Sequence, residues 1–277
     1  MHFLFLLLLI FVPFLGIGQV DYTADSPYRK HVEGEVAWTL YQETKVYWGP
    51  DTQALLYATL PVGTALTIVE RLDEAEKRQG FFTNWYRAAY QGQEIFVWGG
   101  DLAVAKQQNV TTGLTILYGL KQIRMVERGT YQEPQLELVV VAYRQGEWID
   151  SIHLAAIGTL YTLTNLQLRG NQGLAGIQEI VEIAFSDGYC GGVAATATLL
   201  WNGQNWTKLA ILSQGFGDNH FSNAYYQYPQ EHQTGSNIIE LHREKGYYNQ
   251  ERQAIYTQQN IQIFEWTGKQ LLLIDGG

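Results

Sequence analysis

The chain has 277 residues, of which 46% are hydrophobic and 16% charged, with 28 Gly, 18 Tyr, 8 Trp and 1 Cys. This composition excludes a disordered chain and favours short strands and turns over long solvated helices. The formal net charge of -9 excludes a nucleic-acid-binding protein, which needs clustered Lys and Arg, and the single Cys excludes an internal disulfide.

The N-terminal segment has the pattern of an export signal. An unbroken apolar run from Phe3 to Val12 is followed by Gly16-Ile17-Gly18, whose small residues suit cleavage by a signal peptidase. The run is short for a membrane span. We predict a signal peptide at residues 1–18, a polar linker at 19–33 and an exported protein, which is periplasmic, at the cell surface or secreted. Because His2 stands where Lys or Arg is usual, an uncleaved anchor is the alternative.

About four or five short strands are predicted between Val36 and Leu102, which is enough to close a small, partly open barrel. This segment resembles a bacterial SH3 (SH3b) domain in four features: the turn Val46–Pro50, the bend Leu60–Thr64, the pair Trp85-Tyr86, and Phe96-Val97 with Asp101-Leu102. The resemblance implies a barrel over residues 34–106 that binds cell-wall peptide or another extracytoplasmic ligand. Tyr47-Trp48 replaces the Arg-Ser usual in that family, so the ligand stays open. The segment Asp73–Thr83 is predicted to be a long, charged loop.

The aromatic residues of this barrel have two interpretations. Trp85 and Phe96 are predicted to fill the small core. Tyr47, Trp48 and Trp98 sit next to turns, where a ring either packs inward or forms an exposed ligand platform, and we take these three as candidate ligand contacts.

A polar stretch without a strand pattern, Lys106–Gly113, is predicted to separate the barrel from a second all-β domain at residues 114–277. Strands are predicted there at Leu136–Tyr143, Trp148–Leu154, Tyr161–Leu168, Ile177–Phe185, Val193–Trp201, Trp206–Leu212, Asn237–His242, Ile261–Trp266 and Leu271–Ile274. Three similar hairpins, Tyr143–Trp148, Trp201–Trp206 and Trp266–Leu271, suggest a weak repeat. The predicted fold is therefore all-β: a small SH3-like barrel followed by a larger antiparallel domain, either propeller-like or a sandwich.

The segment Asn171–Ile180 weakly resembles the calcium loop of FG-GAP, integrin-like propellers. Asn171, Gly176 and Glu179 match that loop, but Gly173 and Ala175 fall where side-chain ligands are needed. Calcium requires several carboxylates among at least six oxygens, so we predict no metal.

Cys190 is the one candidate nucleophile. A cell-wall cysteine peptidase would place it at a helix N-terminus, which lowers the thiol pKa, and would use a downstream histidine such as His220, His232 or His242. The residues after Cys190 have strand character instead, so a packed, inert thiol is predicted. Glu240 and His242 share a strand face, as a metal-ligand pair would, but the histidine spacing matches no compact metal motif.

The longest predicted loop, Phe216–Gln233, carries Tyr225, Tyr226 and Tyr228. Loops of this length are often functional, and tyrosine suits contacts with glycans or peptides. The leading prediction is a non-catalytic binding protein without a cofactor, whose partner is a cell-wall peptide or glycan or an envelope protein. The alternatives are a cell-wall cysteine peptidase or amidase using Cys190 and a structural subunit of an envelope assembly.

Overall fold

A computed structural model of the protein describes residues 30–155, 162–186, 194–217, 219–232 and 236–276. The predicted signal peptide and Cys190 lie outside the described residues. Within them the protein is all-β, with antiparallel strands in three sheets and one short 3₁₀ turn, so the predicted fold class is confirmed. No helix in these ranges is long and apolar enough to cross a membrane.

The first sheet curls around its own core. Its strands are β1 (Val36–Trp38), β2 (Thr44–Tyr47), β3 (Leu56–Leu60), β4 (Ala65–Arg78), β5 (Phe81–Tyr90) and β6 (Gln93–Trp98), in the spatial order β1-β4-β5-β6-β2-β3. The 3₁₀ turn Gly99–Asp101 follows β6, and a bridge between Thr39 and Leu102 closes the curl. The end of the predicted linker is docked, because His31 is buried and its backbone N–H donates to the Tyr86 hydroxyl.

The segment Asp73–Thr83 is not a loop. It continues the β4–β5 hairpin to a tight turn at Gln79-Gly80, and the carbonyl of Gln79 accepts a hydrogen bond of 2.9 Å from the N–H of Ile123. Gly80 has φ +88, and a Cβ at this position would lie 2.0 Å from the Ile123 carbonyl oxygen. The hairpin tip therefore requires glycine in order to dock on the second sheet.

The second sheet consists of β7 (Ala105–Gln108), β8 (Leu114–Arg128), β9 (Tyr131–Arg144) and β10 (Glu147–Ala155), in the order β10-β9-β8-β7. The prediction that Lys106–Gly113 lacks strand structure was wrong, since β7 begins at Ala105 and pairs with β8. The chain thus passes from the first sheet into the second with only Leu102–Val104 between the 3₁₀ turn and β7.

The third sheet contains β11 (Thr162–Leu168), β12 (Glu179–Ser186), β13 (Ala194–Trp201), β14 (Trp206–Lys208), β15 (Leu212–Gly217), β16 (His220–Gln227), β17 (Ile238–Tyr248), β18 (Ala254–Trp266) and β19 (Leu271–Asp275). The strands follow one another in chain order across the sheet, except that β14 pairs beside β13. The three predicted hairpins are confirmed by the cross-strand pairs Tyr143↔Trp148, Trp201↔Trp206 and Trp266↔Leu271.

The second and third sheets share a core, as in a sandwich. Val181 and Ile183 on one face of β12 pack in the same cluster as Tyr118 and Val140 of the second sheet. Alternate residues of β12 and β13 point the other way, into a separate cluster with Tyr228 and other residues of the third sheet. The first sheet joins the shared core through Phe81, Trp85 and Trp98, so buried apolar contacts cross the predicted domain boundary.

Candidate functional site

Two of the three candidate rings of the barrel are buried. Tyr47 is 7% exposed and meets Trp85 edge to face, with ring centroids 5.8 Å apart. Trp98 is fully buried, donates its indole N–H to the carbonyl of Glu76 at 3.2 Å and lies 4.4 Å below the Arg78 guanidinium. The prediction that these rings contact a ligand was wrong, because both fill the core.

Trp48 lies at the surface, in what we call the β2–β3 aromatic patch. Its side chain is 47% exposed and meets Tyr57 edge to face at 4.8 Å. Leu55 and Leu56, which are 74% and 45% exposed, extend the patch. The Asp51 carboxylate accepts the N–H of Gln53 and so fixes the turn that joins the two strands.

The prediction of a loop at Phe216–Gln233 was wrong, because most of this segment forms the end of β15 and all of β16. Side chains on a strand alternate between its faces, and Tyr226 is buried at 7% exposure. Tyr228, just beyond the strand, is also fully buried, and its hydroxyl lies 3.4 Å from a Glu182 carboxylate oxygen. Burial is the main reason why the pKa of Tyr228 is raised far above its ordinary value. Neither ring is available to a ligand.

Tyr225 lies on the opposite, outer face of the sheet. Its ring stacks on His242 at 5.0 Å with an interplanar angle of 8°, and its hydroxyl donates to Glu244 at 3.2 Å. His242 Nε2 lies 2.9 Å from an oxygen of Glu240, so the predicted sharing of one strand face by these two residues is confirmed. Burial, followed by the nearby Glu244 carboxylate, raises the pKa of Tyr225. These contacts hold the ring in one orientation.

Phe221, Tyr248 and Tyr256 lie on the same outer face, and we call these three residues, together with Tyr225 and His242, the β16–β18 ring face. The ring centroid of Phe221 lies 5.3 Å from that of Tyr248 and 5.5 Å from that of Tyr256, and the two tyrosines are 39% and 50% exposed. Gly246 makes room for Phe221, since a Cβ there would lie 2.7 Å from the Phe221 ring and 2.2 Å from the carbonyl oxygen of Ile255.

Cys190 lies outside the described residues, so its pairing with a downstream histidine stays a prediction. His220 is exposed, and His232 lies with Nε2 3.1 Å from the carbonyl oxygen of Ile238. In the described ranges no three His, Cys, Asp or Glu side chains could together hold a metal. In the segment Asn171–Ile180, the side-chain oxygen of Asn171 accepts the N–H of Gly173, and Glu179 is fully buried and hydrogen-bonded to protein donors.

Several surface residues were missed by sequence reasoning. Tyr57 was not recognised because it lies in β3, a short strand with no apolar alternation. Tyr248 and Tyr256 flank the turn at Asn249–Gln253, and each follows a large apolar residue in the chain. That symmetry is a hairpin signal, but the predicted strands ended at His242 and began again at Ile261.

No family model matches the chain, and no curated protein or solved structure is significantly similar to it.

Proposed function

We propose that the protein is an exported, non-catalytic binding protein whose β2–β3 aromatic patch contacts cell-wall or other envelope material. The observation that carries this proposal is the exposure of Trp48, whose ring contacts that of Tyr57 on the same hairpin. Large exposed aromatic patches are typical of binding sites, and tryptophan is prominent among the residues that dominate binding energy. The SH3b-like sequence features of residues 34–106 support an extracytoplasmic ligand.

The geometry of the patch supports recognition by stacking rather than by charge. The edge-to-face contact with Tyr57 leaves part of the Trp48 ring open to solvent. Leu55 and Leu56 add apolar surface on the same hairpin. An aromatic face bordered by aliphatic groups suits the apolar side of a sugar ring or a peptide side chain.

The β16–β18 ring face is the second recognition surface in this proposal. Tyr248 and Tyr256 are its most exposed rings, and the Glu244 carboxylate, which accepts from the Tyr225 hydroxyl, lies on the same strand as Tyr248. Like the first patch, it is built on strands, so its rings stay in place before a ligand arrives.

A pelleting assay with purified cell-wall sacculi tests the proposal. The mature protein is expected to sediment with the sacculi, and Trp48→Ala is expected to weaken this binding by at least about tenfold. Trp148→Ala is the matched control, because Trp148 is 39% exposed but lies on the second sheet. Equal binding by wild type and Trp48→Ala would contradict the assignment of the patch.

The same incubation separates binding from hydrolysis. Mass spectrometry of the supernatant is expected to show no released muropeptides. Release that disappears in Cys190→Ala would establish a cysteine peptidase or amidase instead. Absence of both release and pelleting would favour a subunit that binds an envelope protein.

A further inference from the structure

A cleft of about 450 Å³ lies between the edges of two sheets, where β7 approaches β11. In the described part of the chain, β7 pairs only with β8 and β11 only with β12, so each keeps one backbone edge that its own sheet does not use. The cleft lies in the size range of small-molecule sites, about 300–1,000 Å³.

Four exposed amide side chains line this cleft. Gln107 and Gln108 come from β7, and Asn165 and Gln167 come from β11. None of the four side chains makes a hydrogen bond to the rest of the described protein. Each amide offers two N–H donors and a carbonyl acceptor, so the two walls present hydrogen-bonding capacity that the fold itself does not use.

The base of the cleft is held from both sides by one buried carboxylate. Glu179 is fully buried and accepts a hydrogen bond of 2.6 Å from Asn109 Nδ2 and another from the N–H of Gly170. The other side-chain atom of Asn109, Oδ1, accepts the N–H groups of Thr111 and Thr112. The turn after β7 and the turn after β11 are therefore fixed to one another, which pre-forms the site.

The lining disfavours an anionic ligand. It contains no Lys, Arg or His, and its one ionisable side chain is Glu179, which is already hydrogen-bonded. An anionic ligand would find no cation there. Val110 and Leu168 add aliphatic surface. Amides beside aliphatic groups match the alternation of hydroxyl and C–H surfaces on a sugar.

We propose that this cleft binds a neutral saccharide unit, with its hydroxyl groups paired to the side chains of Gln107, Asn165 and Gln167 and a C–H face on Val110 and Leu168. The site shares no residue with the β2–β3 aromatic patch or the β16–β18 ring face. The saccharide proposal can therefore be tested separately from the envelope-binding proposal.

The test is titration of the ¹⁵N-labelled protein with cellobiose, N,N′-diacetylchitobiose and a glucuronate-containing disaccharide, followed by NMR chemical shifts. At least one neutral disaccharide is expected to bind saturably, and the anionic one at least about tenfold more weakly. The double variant Gln107→Ala/Asn165→Ala is expected to lower the affinity by roughly tenfold, because it removes two neutral hydrogen-bonding groups. Gln259→Ala, an exposed amide on β18, is the control and is expected to bind like wild type.

A gain-of-function variant makes the test sharper. Gln167→Arg places a cation at the rim and is expected to shift the preference towards the anionic disaccharide. Because these side chains are exposed, the substitutions are expected to leave the unfolding temperature unchanged, so loss of binding cannot be attributed to misfolding. The proposal is overturned if no disaccharide binds, if the double variant and Gln259→Ala behave alike, or if a short extended peptide binds the two strand edges in place of the saccharides.

Discussion

The isosteric change Glu179→Gln tests how the second and third sheets are joined. It replaces one carboxylate oxygen by an N–H₂ donor, while Asn109 and the N–H of Gly170 are both donors. Rotating the Asn109 amide does not help, because its oxygen already accepts two backbone N–H groups. Whichever way the introduced amide turns, its N–H₂ group faces another donor, at a position where the Glu179 side chain is fully buried.

Two opposing effects set the magnitude. A hydrogen bond to a charged group contributes about 1.5–3 kcal/mol, and a buried donor without a partner costs about 1–3 kcal/mol. The neutral amide lacks the desolvation cost of a buried carboxylate, and this difference offsets part of the loss. We expect a net loss of about 2 kcal/mol, which lowers the unfolding temperature of a chain of this size by roughly 4–8 °C.

The complementary change Asn109→Asp supplies the decisive control. Alone it sets two carboxylates against each other and is expected to destabilise by a similar amount. Combined with Glu179→Gln, it restores one donor facing one acceptor and still accepts the two turn N–H groups. Denaturant unfolding at pH 7 is expected to place the double variant within about 1 kcal/mol of wild type, with a coupling of at least about 2 kcal/mol. If the stability losses of the two single variants simply add in the double variant, the proposed role of the Glu179–Asn109 hydrogen bond is refuted.

Two further predictions concern positions in the first and second sheets. Gly80→Ala is expected to destabilise the protein by about 3 kcal/mol or more, because a Cβ there meets the Ile123 carbonyl. Gly129→Ala is the control: it has φ +65 and open space around it, and is expected to cost about 1 kcal/mol. Equal losses of stability in thermal unfolding would contradict the docking of the hairpin tip. Burial raises the pKa of the Asp101 carboxyl to about 6, although the nearby Arg78 guanidinium acts in the opposite direction. Protonation of this carboxyl therefore stabilises the folded state fully below about pH 4, and this stabilisation is lost as the pH rises through 6. Urea unfolding at pH 4 and 7 is expected to show a weaker pH dependence for Asp101→Asn, which should exceed wild type in stability at pH 7 by up to roughly 3 kcal/mol; an unchanged pH dependence would count against this assignment.

The strand content and the hairpins could be predicted because they depend on local chemistry. Asn202-Gly203 is a strong hairpin signal, and Trp201 and Trp206 do pair across it. The strands around Ile177–Phe185 were visible for the same reason, since β-branched and aromatic residues are concentrated there. These local patterns do not show which part of the protein packs against each face of a strand.

The errors at Phe216–Gln233 show this limit. Asn, Gly and Tyr are common in this segment and suggest a loop, but β17 provides a long antiparallel partner from Gln227↔Glu240 to His220↔Tyr247. Tertiary pairing overrode the local signal. The faces of Tyr225 and Tyr226 then followed from the two-residue period, which could be assigned only once the segment was known to be a strand.

The cleft between β7 and β11 could not be predicted, because its walls come from segments more than 50 residues apart. Exposed Gln and Asn residues carry no motif and are as common on ordinary surfaces. They become a candidate site only because two sheet edges meet there and Glu179 fixes the turns at their ends.

The burial of Tyr47 explains why its neighbour Trp48 is a good candidate for binding. Val46 and Tyr47 are consecutive in β2 and both buried, because Val46 packs in the core of the first sheet and Tyr47 packs in the core shared with the other sheets. Trp48 then emerges on the outside, with its backbone N–H donating to the carbonyl of Leu55 at 2.9 Å. The buried Tyr47 ring thus anchors the end of β2, next to Trp48 in the chain. A ring held in this way loses little conformational freedom when a ligand stacks on it, so more of the contact energy is retained as affinity.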